Sequence, residues 1–369
     1  MSTEPSSSES ASGGGGRIAR ITRGDIFPLR DHPLSSNDLR QCLRAATAAT
    51  LGFVICKLFN FNYGVFFCVY PLLLTALVPV LTAHVARQIV VSALINSVEV
   101  ALIAGFFSHM PVVMTAVVFV LFYLRFRLMS RGILFLFGAM SMVCLSVTFH
   151  FASYPSTDLH DLLASNMAAC SLSVILSLFA TWLFPDVEPR KPPPSVTKPL
   201  SRIRHETLLG TICATLSFVV FQIFDLQDSL SAQVATILIL FPMHFEGVKV
   251  AARWRMTGII FGCCYGLVAQ LVVYDAFNKL VLVIPLLWVG LMLAARIHAT
   301  EKVGSGVGFG TMTTIAILFG QYLQPDQDLV YSDLYRITSV AFAMSVTVVV
   351  AWLLHRFLNL FPGTRMIVE

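Results

Sequence analysis

Charged residues are scarce in this chain. Asp, Glu, Lys and Arg make up 12% of its 369 residues, hydrophobic residues make up 56%, and the mean hydropathy is +0.78. Water-soluble domains carry roughly 25% charged residues, so the composition excludes an ordinary soluble protein and indicates a polytopic membrane protein. The net charge of +5 comes from basic residues in short clusters between apolar segments. Because these clusters do not line one amphipathic face, they give no sign of nucleic-acid binding.

The chain also lacks the common sequence motifs of catalysis and cofactor binding. It contains no Walker A, His-Glu-x-x-His or Gly-x-Ser-x-Gly pattern, and its eight cysteines form no Cys-x-x-Cys pair. ATP hydrolysis, familiar hydrolase chemistry and a structural metal site are therefore without support. We expect no cofactor, no metal ion and no enzymatic activity, and we interpret the cysteines as small buried apolar residues.

The N-terminal segment lacks the apolar core that a signal peptide needs. It contains a serine run and a glycine run followed by arginines. Residues 1–37 are therefore predicted to form a disordered basic tail that stays in the cytoplasm.

Long apolar segments dominate the rest of the chain. Twelve of them, each near the length that a membrane-spanning helix needs, follow one another between residues 39 and 357. With a cytoplasmic N-terminus, the cytoplasmic segments contain all but three of the 25 Lys and Arg residues, and the exceptions are Lys57, Lys279 and Arg336. This distribution obeys the positive-inside rule, which a misplaced span would violate. The sequence predicts an all-α polytopic membrane protein with about twelve transmembrane helices and both termini in the cytoplasm.

The two halves of the chain resemble each other. Residues 49–59 return as residues 214–224, and residues 137–141 match residues 309–313. Since each half holds six spans, both halves enter the membrane from the same side, so the repeats are predicted to be parallel, with a transport path along the axis between them. The predicted organisation is a tail at 1–37, a six-helix repeat at 38–185, a Pro-rich linker at 186–204, a second six-helix repeat at 205–358 and a short tail at 359–369.

Prolines interrupt equivalent helices of the two halves. Pro79 and Pro242 each lie near the cytoplasmic end of a span. The carbonyl that a proline frees is tolerated at membrane depth only where protein, water or substrate satisfies it. A substrate site and a simple packing kink both explain this pairing. Polar side chains after each break would attract anions, or would serve only as topology signals. They are His84, Arg87, His244, Glu246, Lys249, Arg253 and Arg255.

Glu99 is the acidic residue that lies well inside an apolar span, and Asn96 is on the same face of that helix. An intramembrane carboxylate is a functional candidate by default. Burial alone would favour its protonated form and suit a proton carrier, whereas a nearby arginine would make it half of a structural ion pair. Its counterpart in the second half is Tyr265, so the repeat does not decide between these roles.

The ninth span carries a ladder of small residues. Gly258, Gly262 and Gly266 recur at every fourth position, a spacing that lets another helix approach closely. We interpret this ladder first as a packing surface.

The segment around this ladder resembles a known family. Pro242, Gly247, Arg255, Gly258 and Gly262 are similar to the pattern of the fusaric acid resistance and aromatic acid exporter family, in which a proline ends one helix and Arg-x-x-Gly-x-x-x-Gly opens the next. The resemblance implies export of small organic acids from the bacterial cytoplasm, often with a periplasmic adaptor protein, and a relationship to plant malate channels with paired six-span subunits. Larger relatives carry a soluble domain, so this chain is similar to a compact branch.

Together with this resemblance, the sequence predicts an inner-membrane exporter of small organic acids, aromatic ones as the resemblance implies, or of related toxic compounds, that is coupled to protons. An anion channel of the malate type is one alternative, since an inside-negative potential favours anion exit by about 2.3 kcal/mol per charge per 100 mV. A membrane-embedded enzyme or an adaptor-anchoring scaffold is another, with His150 among the acid and base groups of the former. The expected partners are small organic anions, the lipid bilayer and an adaptor; the state of oligomerisation stays open.

Overall fold

A computed structural model describes residues 34–366, except for 79, 108, 133, 155–156, 189–197, 225–229, 274–278, 302–305 and 323–328. The described part is helical and contains no β-strand. Most of the predicted basic tail, the central part of the linker and Pro79 lie outside the described residues. In chain order the helices are α1 (Ser36–Leu58), α2 (Gly64–Leu77), α3 (Ala83–Phe107), α4 (Pro111–Arg131), α5 (Phe135–Ala152), α6 (Leu159–Leu183), α7 (Leu200–Ile223), α8 (Leu230–Ile239), α9 (Phe245–Val273), α10 (Leu280–Glu301), α11 (Val307–Ile317), which continues as a π-helical segment (Leu318–Tyr322), and α12 (Leu329–Leu358).

Local sequence signals mark several helix ends. Ser35 caps α1 in a reciprocal capping box with Asp38. Asp158 caps α6 by accepting hydrogen bonds from two backbone amides of its first turn. Pro111 opens α4, and Gly132, with φ of 84°, ends it in a backbone conformation that favours glycine. These termini are therefore encoded locally.

Eight described helices are long and apolar enough to cross a membrane, namely α3, α4, α5, α6, α7, α9, α10 and α12. By contrast, α2, α8 and α11 have 14, 10 and 11 residues. A ten-residue helix covers about 15 Å, half of a hydrocarbon core of about 30 Å. Full-length spans were predicted for these three segments. These three helices are almost completely buried, and enclosure by protein allows helix ends at membrane depth.

The helices of the two halves pack in corresponding pairs. In the first half (α1–α6), α1 packs on α2 and α6, α2 on α6, α3 on α5 and α6, and α4 on α5. In the second half (α7–α12), α7 packs on α8 and α12, α8 on α12, α9 on α11 and α12, and α10 on α11. The contacts between the halves also correspond, with α1 on α10 matching α7 on α4, and α2 on α11 matching α8 on α5. Each of these pairs thus has a counterpart six helices along the chain.

The seam where α2 meets α11 and α5 meets α8 is closely packed. A Cβ atom added to Gly64 would lie 2.6 Å from the carbonyl oxygen of Gly320, so the two backbones touch. Beside the seam, Phe149 of α5 and Phe218 of α7 are buried with ring centroids 6.3 Å apart. The amide of Gln233 on α8 donates to the hydroxyl of Ser146 on α5 at 2.8 Å. At these positions the described residues are in close contact, and the expected conduit is not seen between them.

Basic residues gather where the first helix begins and the sixth and twelfth end. Arg44 of α1, which is buried, forms an ion pair with the partly exposed Asp186, which follows α6. The Glu206 carboxylate at the start of α7 is also buried, and it binds Lys198 at 2.7 Å and Arg202 at 2.9 Å. We call the side that carries these groups the basic face. On the opposite side, Asn62 donates to Asp161 at 2.7 Å.

Candidate functional site

Two arginines are buried between helices at related places of the two halves. Arg125 of α4 donates from Nε to the hydroxyl of Ser141 on α5 at 2.6 Å. Arg255 of α9 donates from Nη2 to the hydroxyl of Thr313 on α11 at 3.2 Å. Ser141 and Thr313 are the matching last residues of the repeated segments 137–141 and 309–313. The same hydroxyl position therefore receives a guanidinium in each half, although the arginine comes from a different helix.

The arginine of the first half is neutralised. Nη2 of Arg125 lies 2.7 and 2.6 Å from the two carboxylate oxygens of Glu99. Asn96 completes the cluster, because its side-chain oxygen accepts a hydrogen bond from Ser141 at 2.6 Å. The guanidinium also lies over the ring of Phe137, at 5.4 Å from the centroid. This is the ion-pair arrangement considered for Glu99, and the proton-carrier role stays a prediction.

The arginine of the second half has no such partner. Arg255 is 2% exposed, and its Nε and Nη1 atoms have no hydrogen-bond partner among the described residues. The position of Glu99 in the repeat is taken by Tyr265, whose hydroxyl donates to the backbone carbonyl of Leu286 at 2.6 Å. No carboxylate of the described residues lies within ion-pair distance of Arg255. Within the described part of the chain, the positive charge of Arg255 is thus buried without a counter-ion.

An uncompensated buried guanidinium strongly favours an anion. Removing it from water costs several kcal/mol unless a charge partner and hydrogen bonds replace the lost hydration. Nε and one terminal nitrogen of arginine form a planar fork that matches the two oxygens of a carboxylate. The free donors of Arg255 are therefore suited to a carboxylate ligand.

Helix packing holds Arg255 in place. A Cβ atom added to Gly258 would lie 2.5 Å from the carbonyl oxygen of Val307, and one added to Gly262 would lie 2.6 Å from the side chain of Thr314. The two glycines thus let α9 contact α11 at backbone distance, as the small-residue ladder predicts. Gly266, the third residue of the ladder, is half-buried.

The beginning of α11 is already occupied by a side chain of the protein. The Glu301 carboxylate accepts hydrogen bonds from the backbone amides of Val307 at 2.9 Å and Gly308 at 3.0 Å. Nearby, His298 is buried and its Nε2 lies 3.1 Å from the carbonyl oxygen of Ala76 at the end of α2. These contacts join α2, α10 and α11 close to the basic face, but they offer no free anion site at the helix terminus.

The other polar residues predicted for the site do not converge on Arg255. Arg87 and Arg253 are exposed. The ring of His84 lies 2.6 Å from the side-chain amide of Gln88 on the same helix. Glu246 is exposed and pairs with Lys249 at 2.5 Å. His244 is half-buried, and its Nδ1 lies 2.7 Å from the carbonyl oxygen of Pro242.

Pro242 lies outside the helix that it was expected to interrupt. Helix α8 ends at Ile239, and Pro242 sits in the following turn, where Met243 has a positive φ of 63°. A proline favours an extended conformation in the residue before it, so the helix ends first. Prolines that lie inside helices are instead Pro71 of α2 and Pro285 of α10, which the sequence analysis did not single out. Pro79 cannot be compared, because it is outside the described residues.

The first half of the chain matches a family model. Residues 41–180 match the family described as "Protein of unknown function (DUF2955)". This segment begins in α1 and ends in α6, so it falls within the six helices of the first half. No curated protein and no solved structure matches the chain. The match names no substrate, and it leaves the resemblance to the aromatic acid exporters as an expectation.

Sequence reasoning missed Arg125, Ser141 and Thr313. Arg125 belongs to a cluster of basic residues that we assigned to the cytoplasmic surface. Ser141 and Thr313 were visible as matching residues of the repeat, but their hydroxyls gave no sign of an arginine nearby. Both halves have a small hydroxyl residue at the same repeat position inside an apolar span. That match is the sequence signal that could have indicated a buried polar partner there.

Proposed function

We propose that this chain is a transporter of small organic anions, in which Arg255 binds the carboxylate of the substrate. The helices long enough to cross a membrane support a membrane protein. The observation that carries the proposal is the buried guanidinium of Arg255, whose two free donors lack any protein partner in the described residues. Arg125, which is neutralised by Glu99, has no comparable need for a ligand.

The proposed architecture is a duplicated six-helix unit with twelve membrane segments. It is supported by the corresponding packing pairs of the two halves and by the family match, which falls within one half. In this arrangement the basic face lies in the cytoplasm of a bacterial cell, as the positive-inside rule requires. Its cations would raise the local concentration of anions before they reach Arg255. Since the seam is closely packed in this structure, passage requires the halves to rearrange around the site.

The ion pair of Glu99 is relevant to whether protons or the membrane potential would drive transport. The two carboxylate oxygens of Glu99 lie 2.7 and 2.6 Å from Nη2 of Arg125, so this carboxylate is engaged in an ion pair inside the protein. This favours the channel alternative, in which the membrane potential drives anion exit, over proton coupling through Glu99. The aromatic nature of the substrate and the periplasmic adaptor rest on the resemblance around Arg255, Gly258 and Gly262.

Transport by purified protein tests the proposal. Proteoliposomes that contain the full chain should take up labelled benzoate or malate when the potential is positive at the destination, and empty liposomes should not. Arg255→Met should reduce uptake at least tenfold, because the substrate loses its charge partner. Replacing an uncompensated buried charge with an apolar side chain does not weaken folding, so the loss of uptake would not reflect unfolding.

Arg253→Met is the matched control. Arg253 lies two residues away on the same helix but is exposed, so its replacement should leave uptake close to that of the wild type. Equal uptake by wild type and Arg255→Met would contradict the role of Arg255. Failure of the wild type to pass either anion would favour the enzyme or scaffold alternative.

A further inference from the structure

A long crevice lies between α7, α8 and α12 in the second half. Its volume is about 680 Å³. Its lining extends from Cys213 to Phe224 on α7 and from Tyr335 to Val350 on α12, which corresponds to about 16 and 22 Å of helix. The crevice is thus narrow and runs parallel to the helices, over a length comparable to that of an extended acyl chain.

The crevice opens on the surface of the helix bundle. Its floor is α8, where Ala232 and Thr236 are completely buried. Its rims carry exposed apolar side chains, with Leu216 of α7 42% exposed and Phe342 of α12 72% exposed. Since α7 and α12 are both long and apolar enough to span the membrane, this opening faces the hydrocarbon of the bilayer.

Neither water nor a charged ligand suits the interior. None of its sixteen lining residues is charged. Hydroxyl groups in the wall already donate to their own helix, as Thr338 does to Leu334 at 2.9 Å and Thr347 to Ala343 at 2.7 Å. A stable buried water needs two to four polar partners, which such a wall does not supply. A hydrocarbon chain needs no hydrogen-bond partner there, and it gains contact with closely spaced apolar atoms.

The corresponding place in the first half is closed. Gly52 of α1 lies so close to the carbonyl oxygen of Phe67 on α2 that no Cβ atom would fit. Pro71, four residues after Phe67, cannot donate a hydrogen bond to that carbonyl, which leaves it free to face Gly52. Ser217 replaces Gly52 in the repeat. Its hydroxyl donates to Gln233 of α8 at 3.1 Å and lines the crevice, so a side chain stands where the first half has backbone contact.

We propose that this crevice holds one acyl chain of a bilayer phospholipid. The lining starts at the end of α7 and the beginning of α12, which lie on the side opposite the basic face. The lipid therefore belongs to the leaflet on that side, and its chain points toward the basic face. The chain occupies the space that a direct contact of α1 and α2 fills in the first half. Arg255 is not one of the residues that line the crevice, so this site is separate from the proposed anion site.

Photo-crosslinking of the reconstituted full chain tests the proposal. The probe is phosphatidylcholine with a diazirine on one acyl chain, placed either near the carboxyl end or near the methyl end. The first probe should label the rim near Phe224 and Tyr335, and the second should label residues near Cys213 and Val350, as read by mass spectrometry of peptides. A shift of label along both helices is expected for a chain in a fixed register. Equal labelling by both probes of all bilayer-facing helices, including exposed Leu102 of α3, would show ordinary surface lipid and overturn the proposal.

A filling variant provides the second measurement. Ala343→Phe places a ring in the crevice and should lower labelling of α7 at least fivefold. Ser345→Phe is the matched control, since Ser345 is exposed on the same helix and does not line the crevice; it should leave the labelling of α7 unchanged. If excess benzoate abolishes labelling in the wild type, the crevice binds that acid instead of a lipid chain, and the proposal is wrong. The shift between the two probes needs no variant, so it decides the matter even where Ala343→Phe fails to fold.

Discussion

At the scale of single residues, the two buried arginines show how the same position acquires different roles. Arg125 and Arg255 both bind a hydroxyl at the end of the repeated segment. Glu99 neutralises Arg125, whereas the second half has Tyr265 at the position of the carboxylate. Arg125 is therefore paired with a carboxylate, whereas Arg255 keeps two donors without a partner among the described residues, which is the basis for proposing it as an anion site.

The ion pair of Glu99 predicts a specific pattern of stability. Glu99→Gln leaves Arg125 buried, at 7% side-chain exposure, without a counter-charge, and should lower the free energy of unfolding by about 3 kcal/mol. Glu99→Gln combined with Arg125→Met should recover most of that loss, because both charges are then removed. Thermal unfolding in detergent measures both variants.

Glu246→Gln is the control for this prediction. Its pair with Lys249 is largely exposed, and exposed pairs contribute little, so stability should hardly change. A Glu99→Gln protein with the stability of the wild type, but without a pH dependence of transport, would instead support the proton carrier.

At the scale of helices, glycines decide which pairs approach closely. Gly258 faces backbone atoms of α11 that cannot rotate away, with Val307 O at 2.5 Å and Thr311 N at 2.8 Å from an added Cβ atom. A methyl group there would collide with backbone atoms, so one helix has to move as a whole. No rotation of a side chain can relieve this collision.

Gly258→Ala should therefore destabilise the protein by about 2 kcal/mol, within the range for overpacking a close contact. Gly105→Ala is the matched control in another helix, since an added Cβ atom at Gly105 meets no atom within 4 Å. The control should be neutral or slightly stabilising, because alanine favours helix more than glycine does. Thermal unfolding of both variants checks the prediction, and equal stability would show that α9 and α11 are free to separate.

Helix lengths could not be read from composition alone. The segments that became α2, α8 and α11 are as apolar as true spans, yet their helices are short and enclosed by neighbours. Hydropathy reports transfer from water to an apolar environment and does not distinguish lipid from protein interior. In the same way, Pro242 was placed in a helix although it lies in the turn after α8.

At the scale of the whole molecule, charge and packing give an orientation that is open to a direct test. Asn62 is exposed on the side opposite the basic face, and Glu188 is exposed beside the helix ends of that face. In intact bacterial cells, Asn62→Cys should react with a membrane-impermeant maleimide, whereas Glu188→Cys should react only after lysis. Seven of the eight native cysteines are buried, which keeps background labelling low. The reverse pattern would contradict the assignment of the basic face to the cytoplasm.

Much of the architecture was accessible without a structure. The apolar segments, the asymmetric distribution of Lys and Arg, and the repeat of residues 49–59 at 214–224 are properties of the sequence alone. They follow from the cost of placing charged and unpaired polar groups in hydrocarbon, which every membrane protein must avoid. The same reasoning singled out Glu99, because charge inside an apolar span is rare. Arg255 was singled out differently, as a cation that follows Pro242 and as part of the family resemblance.

Tertiary structure alone decided what those charges do. Glu99 and Arg125 are 26 residues apart in the chain and meet only because α3 and α4 both pack on α5. Arg255 has no ion-pair partner among the described residues because no carboxylate is brought to it. Ser217 lines the crevice at the repeat position where Gly52 lies against the backbone of α2. The cost of moving a side chain from water into the membrane depends on the residue type alone, so it can be read from the sequence. Pairing between side chains depends on the distances between helices, which only the folded chain determines.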